Sequence, residues 1–159
     1  MQYLLMVLFI AGVTAADQLS KLWVCENIAL YEKLDGIPGL FHLTYVQNTG
    51  AAFSALRGQQ WLFALIFVLF TAAIIWEFSK KRMPFSMFER WCIAAIFAGG
   101  LGNMIDRIRL GYVVDMIAVD FIEFPVFNVA DCFITCGCIV LMISLVFFNK
   151  KIWKDEKKA

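Results

Sequence analysis

The chain has 159 residues, of which 62% are hydrophobic and 16 are Phe, with a mean hydropathy of +0.75 and a net charge of +1. A soluble domain is about half apolar, so the excess points to an integral membrane protein, and the near-neutral charge excludes the basic footprint of a nucleic-acid binder. Five cysteines without a CxxC pair, together with a single histidine (His42), argue against a zinc site or a Cys/His nucleophile.

Residues 1–16 carry no charge and end at Asp17. They predict a first membrane helix that Asp17 and Lys21 close at its outer end as an i, i+4 ion pair. Val13-Thr14-Ala15 resembles a signal-peptide cleavage site, but no basic stretch precedes it, so a retained helix is expected. Residues 36–58 have a different texture. Phe41, Leu43 and Tyr45 alternate with His42 and Thr44 between glycine-bearing ends, which predicts a small sheet on the membrane surface. His42 reads as a surface strand residue.

Residues 61–76 form a second apolar run and residues 91–105 a third, interrupted only by glycines and Asn103. Asn103 and Arg107 share one helical face at its outer end, while Asp106 reads as a solvated loop charge. The fourth run, 132–148, is broken by Thr, Gly and Ser alone. Cys132, Cys136 and Cys138 read as small apolar packing residues on that helix. Asn128 fits an N-cap with Asp131 at N3, in the first turn.

Each strict run falls short of the roughly 20 residues needed to cross a bilayer core, so flanking polar residues must sit just inside the membrane. Nine of the fourteen Lys and Arg lie at 80–90 and 150–158, which by the positive-inside rule makes both termini cytoplasmic. Segments 17–60 and 106–131 then lie outside. The chain reads as a single domain over 1–159: mainly α, four transmembrane helices and a small outer sheet.

With this topology the expensive polar residues fall on one outer level: Asp17, Lys21, Asn48, Asn103, Arg107, Asp115, Asn128 and Asp131. Polar groups at membrane depth usually face a bundle interior and mark function. The stretch GYVVDMIAVDFIEFPVFNVAD at 111–131 is the sharpest case, with four carboxylates among Val, Ile and Phe. Asp120 and Glu123 read as solvated loop acids. Asp115, with no basic neighbour in sequence, is the hardest to explain as a surface charge.

Five motifs in series carry a resemblance: DQLSK at 17–21, NTGAAF at 48–53, GNMIDR at 102–107, GYVVDMI at 111–117 and FNVAD at 127–131. Together with four correctly placed spans they resemble the bacterial lipoprotein signal peptidases, the type II signal peptidases. The resemblance implies four transmembrane helices, an extracytoplasmic β-cradle and an aspartyl protease dyad at Asp115 and Asp131. It implies dyad support or substrate binding by Asp17, Lys21, Asn48, Gly50, Asn103, Arg107 and Asn128, and no metal or cofactor. The implied substrate is a diacylglyceryl-modified prolipoprotein, cut N-terminal to its lipidated Cys. Inhibition by the cyclic peptide globomycin, contact with membrane lipid, a monomeric state and residence in the bacterial inner membrane also follow from it.

Paired carboxylates suit peptide hydrolysis because two neighbouring acids cannot both ionise easily and so share one proton. One then takes a proton from water while the other hydrogen-bonds the scissile carbonyl. An oxygen-ligand cation transporter is the main rival, but the inner halves of the helices offer no polar path. A scaffold would have no use for the polar layer. HExxH and GxSxG motifs are missing from the sequence, and Ser20 and Lys21 point apart on one helix.

Overall fold

The computed structural model describes residues 1–50, 56, 58–80 and 83–152. The AAF of the NTGAAF motif and the basic residues Lys81, Arg82, Lys154, Lys157 and Lys158 lie outside the described residues.

Helix α1 spans Gln2–Asn27, about three turns beyond the end of the uncharged run. Its buried residues Met6, Val13, Asp17, Lys21 and Val24 form one stripe, so the helix continues because its polar members have partners inside the bundle. Asp17 and Lys21 therefore do not close the helix. They form the expected ion pair (Nζ to Oδ2, 2.9 Å), but in its buried interior.

Strands β1 (Lys33–Ile37) and β2 (Phe41–Asn48) form a hairpin, and β3 (Val113–Val119) pairs with β2 to give an antiparallel sheet in the order β1-β2-β3. Val46 is opposite Asp115 and Asn48 opposite Val113. Val114 and Met116 point from β3 onto Val24 and Ile28, forming a small core beneath the sheet. The other face of β3 is left to carry Asp115, because side chains alternate along a strand. His42 is a strand residue as expected, and its Nδ1 lies 2.7 Å from Asp120 Oδ1.

Helix α2 (Gln60–Lys80) has no buried residue, as befits a helix that faces hydrocarbon almost all round. Helix α3 (Met87–Leu110) is central, packing against α1, α4 and α2. Gly102 admits α1 to α3, since a Cβ there would collide with the Asp17 carboxylate. Gly111, at φ 80°, ends α3 in the left-handed conformation that glycine adopts without strain. Because α3 runs to Leu110, Asp106 lies inside it, one turn from the end. It is 3% exposed, so the expectation of a solvated loop charge is wrong.

Helix α4 (Val129–Ile143) continues into a π-helical turn at Ser144–Phe148. Its cysteines are free thiols, and Cys136 and Cys138 are exposed on the helix surface rather than packed. Among the described residues, three helical stretches are long and apolar enough to cross a membrane: Gln2–Asn27, Gln60–Lys80 and Val129–Phe148. The helix ends far from Asp115 are not devoid of polar groups. Glu89, Ser144 and Asn149 meet there, Glu89 being fully buried.

Candidate active site

The polar residues named from the sequence converge because three elements meet side by side. Asp115 comes from the middle of β3, Asp131 from the first turn of α4, and Asn103 from the last third of α3. Asn128 joins them. As the N-cap of α4 it accepts from Asp131 N (2.9 Å), and its own backbone N donates to Asp131 Oδ2 (3.2 Å), a reciprocal capping box. Its Nδ2 also lies 2.7 Å from Asp115 Oδ1 and 3.1 Å from Asn103 Oδ1. Capping and bridging are thus one job for one fully buried amide.

The remaining carboxylate oxygens are held by amides. Asn48 Nδ2 donates to Asp115 Oδ2 (2.9 Å), and Asn103 Nδ2 to Asp131 Oδ1 (2.7 Å). Among the described residues, no cation lies within ion-pair distance of either acid. Burial pushes the Asp115 carboxyl up to about 6, partly opposed by the Asn48 hydrogen bond and reinforced by the negative charge of Asp131.

Behind this pair lies a buried ion triad. Lys21 Nζ contacts Asp17 Oδ2 (2.9 Å) and Asp106 Oδ2 (3.0 Å), and donates to Asn103 Oδ1 (2.9 Å). Asp17 Oδ1 accepts from Ala130 N in the first turn of α4, and Asp106 Oδ2 from Val114 N beside Asp115. The triad therefore fastens α1, α3, β3 and α4 at the level of the two acids. One lysine shared by two carboxylates, each of which also accepts from a backbone amide, is the kind of pairing that makes buried charge tolerable.

In front of the acids opens a cavity of about 640 Å³. Asp115, Asp131, Asn48, Gly50, Asn103 and Arg107 all line it; Asn128, Asp17 and Lys21 do not. The cavity walls run down α2 through Phe63, Phe67 and Phe70 and down α4 through Cys132 and Thr135. It is an apolar groove with the polar cluster at one end. Arg107 is held at its mouth, Nη2 donating to Gly50 O (3.0 Å), with the guanidinium 4.3 Å above the Phe63 ring.

The family model for signal peptidase (SPase) II matches residues 9–147. The chain belongs to the signal peptidase II family. Lipoprotein signal peptidases of Streptococcus agalactiae serotype Ia and Streptococcus pyogenes serotype M1 are similar to it throughout. The first is 47% identical over 145 residues, 91% of this chain and 89% of the relative. The second is 45% identical over 152 residues, 96% and 95%. Two solved structures, each described as a bacterial membrane enzyme obtained by the in meso method, share the fold. Their TM-scores are 0.84 and 0.81 at 31% and 32% identity. They cover 97% and 91% of this chain, and 93% and 94% of their own. As a signal peptidase II family member the chain is a protease, held in the membrane by its apolar helices.

Sequence reading missed Asp106, Gln18 and the aromatic wall from α2. Gln18 Nε2 donates to Asp106 Oδ1 (2.9 Å) and to Gly102 O (3.1 Å), completing the triad's surroundings. A signal for Asp106 was available: Gly111 marks a helix stop, and a helix reaching it places Asp106 a turn inside.

Proposed function

We propose that Asp115 and Asp131 form an aspartyl dyad that removes the signal peptide from diacylglyceryl-modified prolipoproteins, cutting N-terminal to the lipidated Cys. One observation carries this: two carboxylates from separate elements, linked through Asn128 and free of cation partners among the described residues, face the same apolar groove. Their nearness makes them share one proton. Burial on β3 suits Asp115 to hold it near neutral pH.

In the reaction the ionised acid takes a proton from a water, whose oxygen attacks the scissile carbonyl carbon. The protonated acid hydrogen-bonds the carbonyl oxygen and stabilises the tetrahedral intermediate. Proton return to the amine then releases the signal peptide. Asn48, Asn103 and Asn128 keep the carboxylates oriented, and the Asp17–Lys21–Asp106 triad keeps the elements that carry them in register. Arg107 and Gly50 line the mouth, where an extended peptide would pass. The groove between α2 and α4 accommodates a signal helix and acyl chains from the membrane side.

On this reading α3 also crosses the membrane, giving four spans. The basic residues at 80–90 and 150–158 hold both termini in the cytoplasm, and the acids lie near the outer face of the bacterial inner membrane. The enzyme acts as a monomeric single domain. The test is incubation of purified protein with a lipid-modified prolipoprotein and with its unmodified form. We expect cleavage before the modified Cys alone, unaffected by EDTA and blocked by globomycin. Loss of activity in EDTA, restored by a divalent ion, would replace the dyad with a metal mechanism.

A further inference from the structure

Six serine and threonine side chains lie on the helices among the described residues, and five of their hydroxyls are engaged. Thr71 and Ser79 on α2 donate to the carbonyls of Phe67 and Ile75 four residues back, both at 2.7 Å. Thr14 reaches Ala98 O, Ser20 bonds Asp17 O, and Ser144 donates to Glu89. Thr135 alone has no hydrogen-bond partner among the described residues. Back-bonding is the usual way to hide a hydroxyl at membrane depth, and a free one is costly in hydrocarbon.

Thr135 is placed where a ligand would use it. It lines the groove one helical turn below Asp131, about 6 Å deeper along α4. A peptide bond can be hydrolysed only where the chain is extended, and extension strips the carbonyls near the cut of their helical partners. In the membrane those carbonyls need donors. An extended chain covers about 6 to 7 Å in two residues. We propose that the Thr135 hydroxyl binds the backbone carbonyl of the signal peptide two residues before the scissile carbonyl, and so sets the depth at which the peptide is presented to the acids. This inference rests on the peptidase reading above.

The experiment crosses two changes. Wild type, Thr135→Val and Thr135→Ser are assayed on a lipid-modified peptide. They are assayed again on the same peptide with the amide that contains that same carbonyl, two residues before the scissile one, replaced by an ester, which weakens it as an acceptor. Thr135→Val should lose about 5- to 10-fold in kcat/KM, mostly through KM, as expected for one neutral hydrogen bond. Thr135→Ser should keep most activity, and Thr71→Val, whose hydroxyl is already occupied, should match wild type. The ester should slow wild type by a similar factor and slow Thr135→Val little further, because the two changes remove one interaction. Equal activity of Thr135→Val and wild type on the amide peptide overturns the inference, as do penalties that simply multiply. Failure of wild type to cleave at all would instead strike the peptidase reading.

Discussion

Glu89, at the start of α3, and Asp131, at the start of α4, occupy the same N3 position of a capping box, at opposite ends of the molecule. Glu89 accepts from Ser86 N (2.6 Å), Ser144 Oγ (3.0 Å) and Asn149 Nδ2 (2.7 Å) and has no exposed surface. It ties the entrance of α3 to the π-helical end of α4. Asp131 has one donor per oxygen and stands at a groove, with a second carboxylate joined to it through Asn128. The same local motif thus gives a fastener where donors surround the acid and a reactive candidate where one side is left open. A capping box identifies a helix start. What faces the acid decides its use.

The largest way to break this contrast is to neutralise the open acids. Asp115→Asn and Asp131→Asn should each lower cleavage about 10³-fold or more while the protein stays folded and inserted, and the double variant should be scarcely worse than either. Near wild-type turnover by either single variant would remove the dyad. Replacing Lys21 by Met attacks the layer behind. It strands two buried carboxylates, and thermal unfolding should report a loss of about 3–5 kcal/mol, with inactivity following from misplacement of β3 and α4.

Burial of Asp115 makes a pH prediction with a definite sign. Its carboxyl is raised from 3.8 to about 6 in the folded protein, so folding favours the protonated form. That contribution is complete below pH 4 and is lost as the pH rises through about 6. Between pH 4 and 7, wild type should therefore lose up to about 2–3 kcal/mol relative to Asp115→Asn, measured by thermal unfolding of both proteins. A constant difference across that range would mean that the carboxyl is not perturbed.

Glu89→Ala sharpens the comparison from the other end. It should cost about 1–3 kcal/mol of stability by orphaning its donors, yet leave the activity of the folded fraction intact. Loss of activity in a fully folded variant would deny that this acid is only a fastener. Smallest of all, Asp120→Asn and Glu123→Gln should retain most activity, since both are exposed loop acids and the Asp120–His42 contact lies on the sheet surface.

The sequence by itself determined the membrane class, the apolar runs and the short list of acids, because hydropathy and charge spacing are one-dimensional properties. It also made Asn128 and Asp131 legible as a cap, since a capping box is local. It did not reveal that Asn128 spends its side-chain amide on Asp115, because that contact spans thirteen residues and depends on β3 lying against the start of α4. Asp106 was misread for the same reason: a charge looks solvated until the lysine that neutralises it arrives from a helix 85 residues away. The length of α1 was likewise hidden, because Asp17 and Lys21 look like a polar end until Asn103, Asp106 and Ala130 are packed around them. Tertiary structure alone also separated Glu89 from Asp131 and left Thr135 without a partner among the described residues. Whether a buried polar group is satisfied is a property of everything that surrounds it, and those neighbours are gathered from four elements that no stretch of sequence holds together.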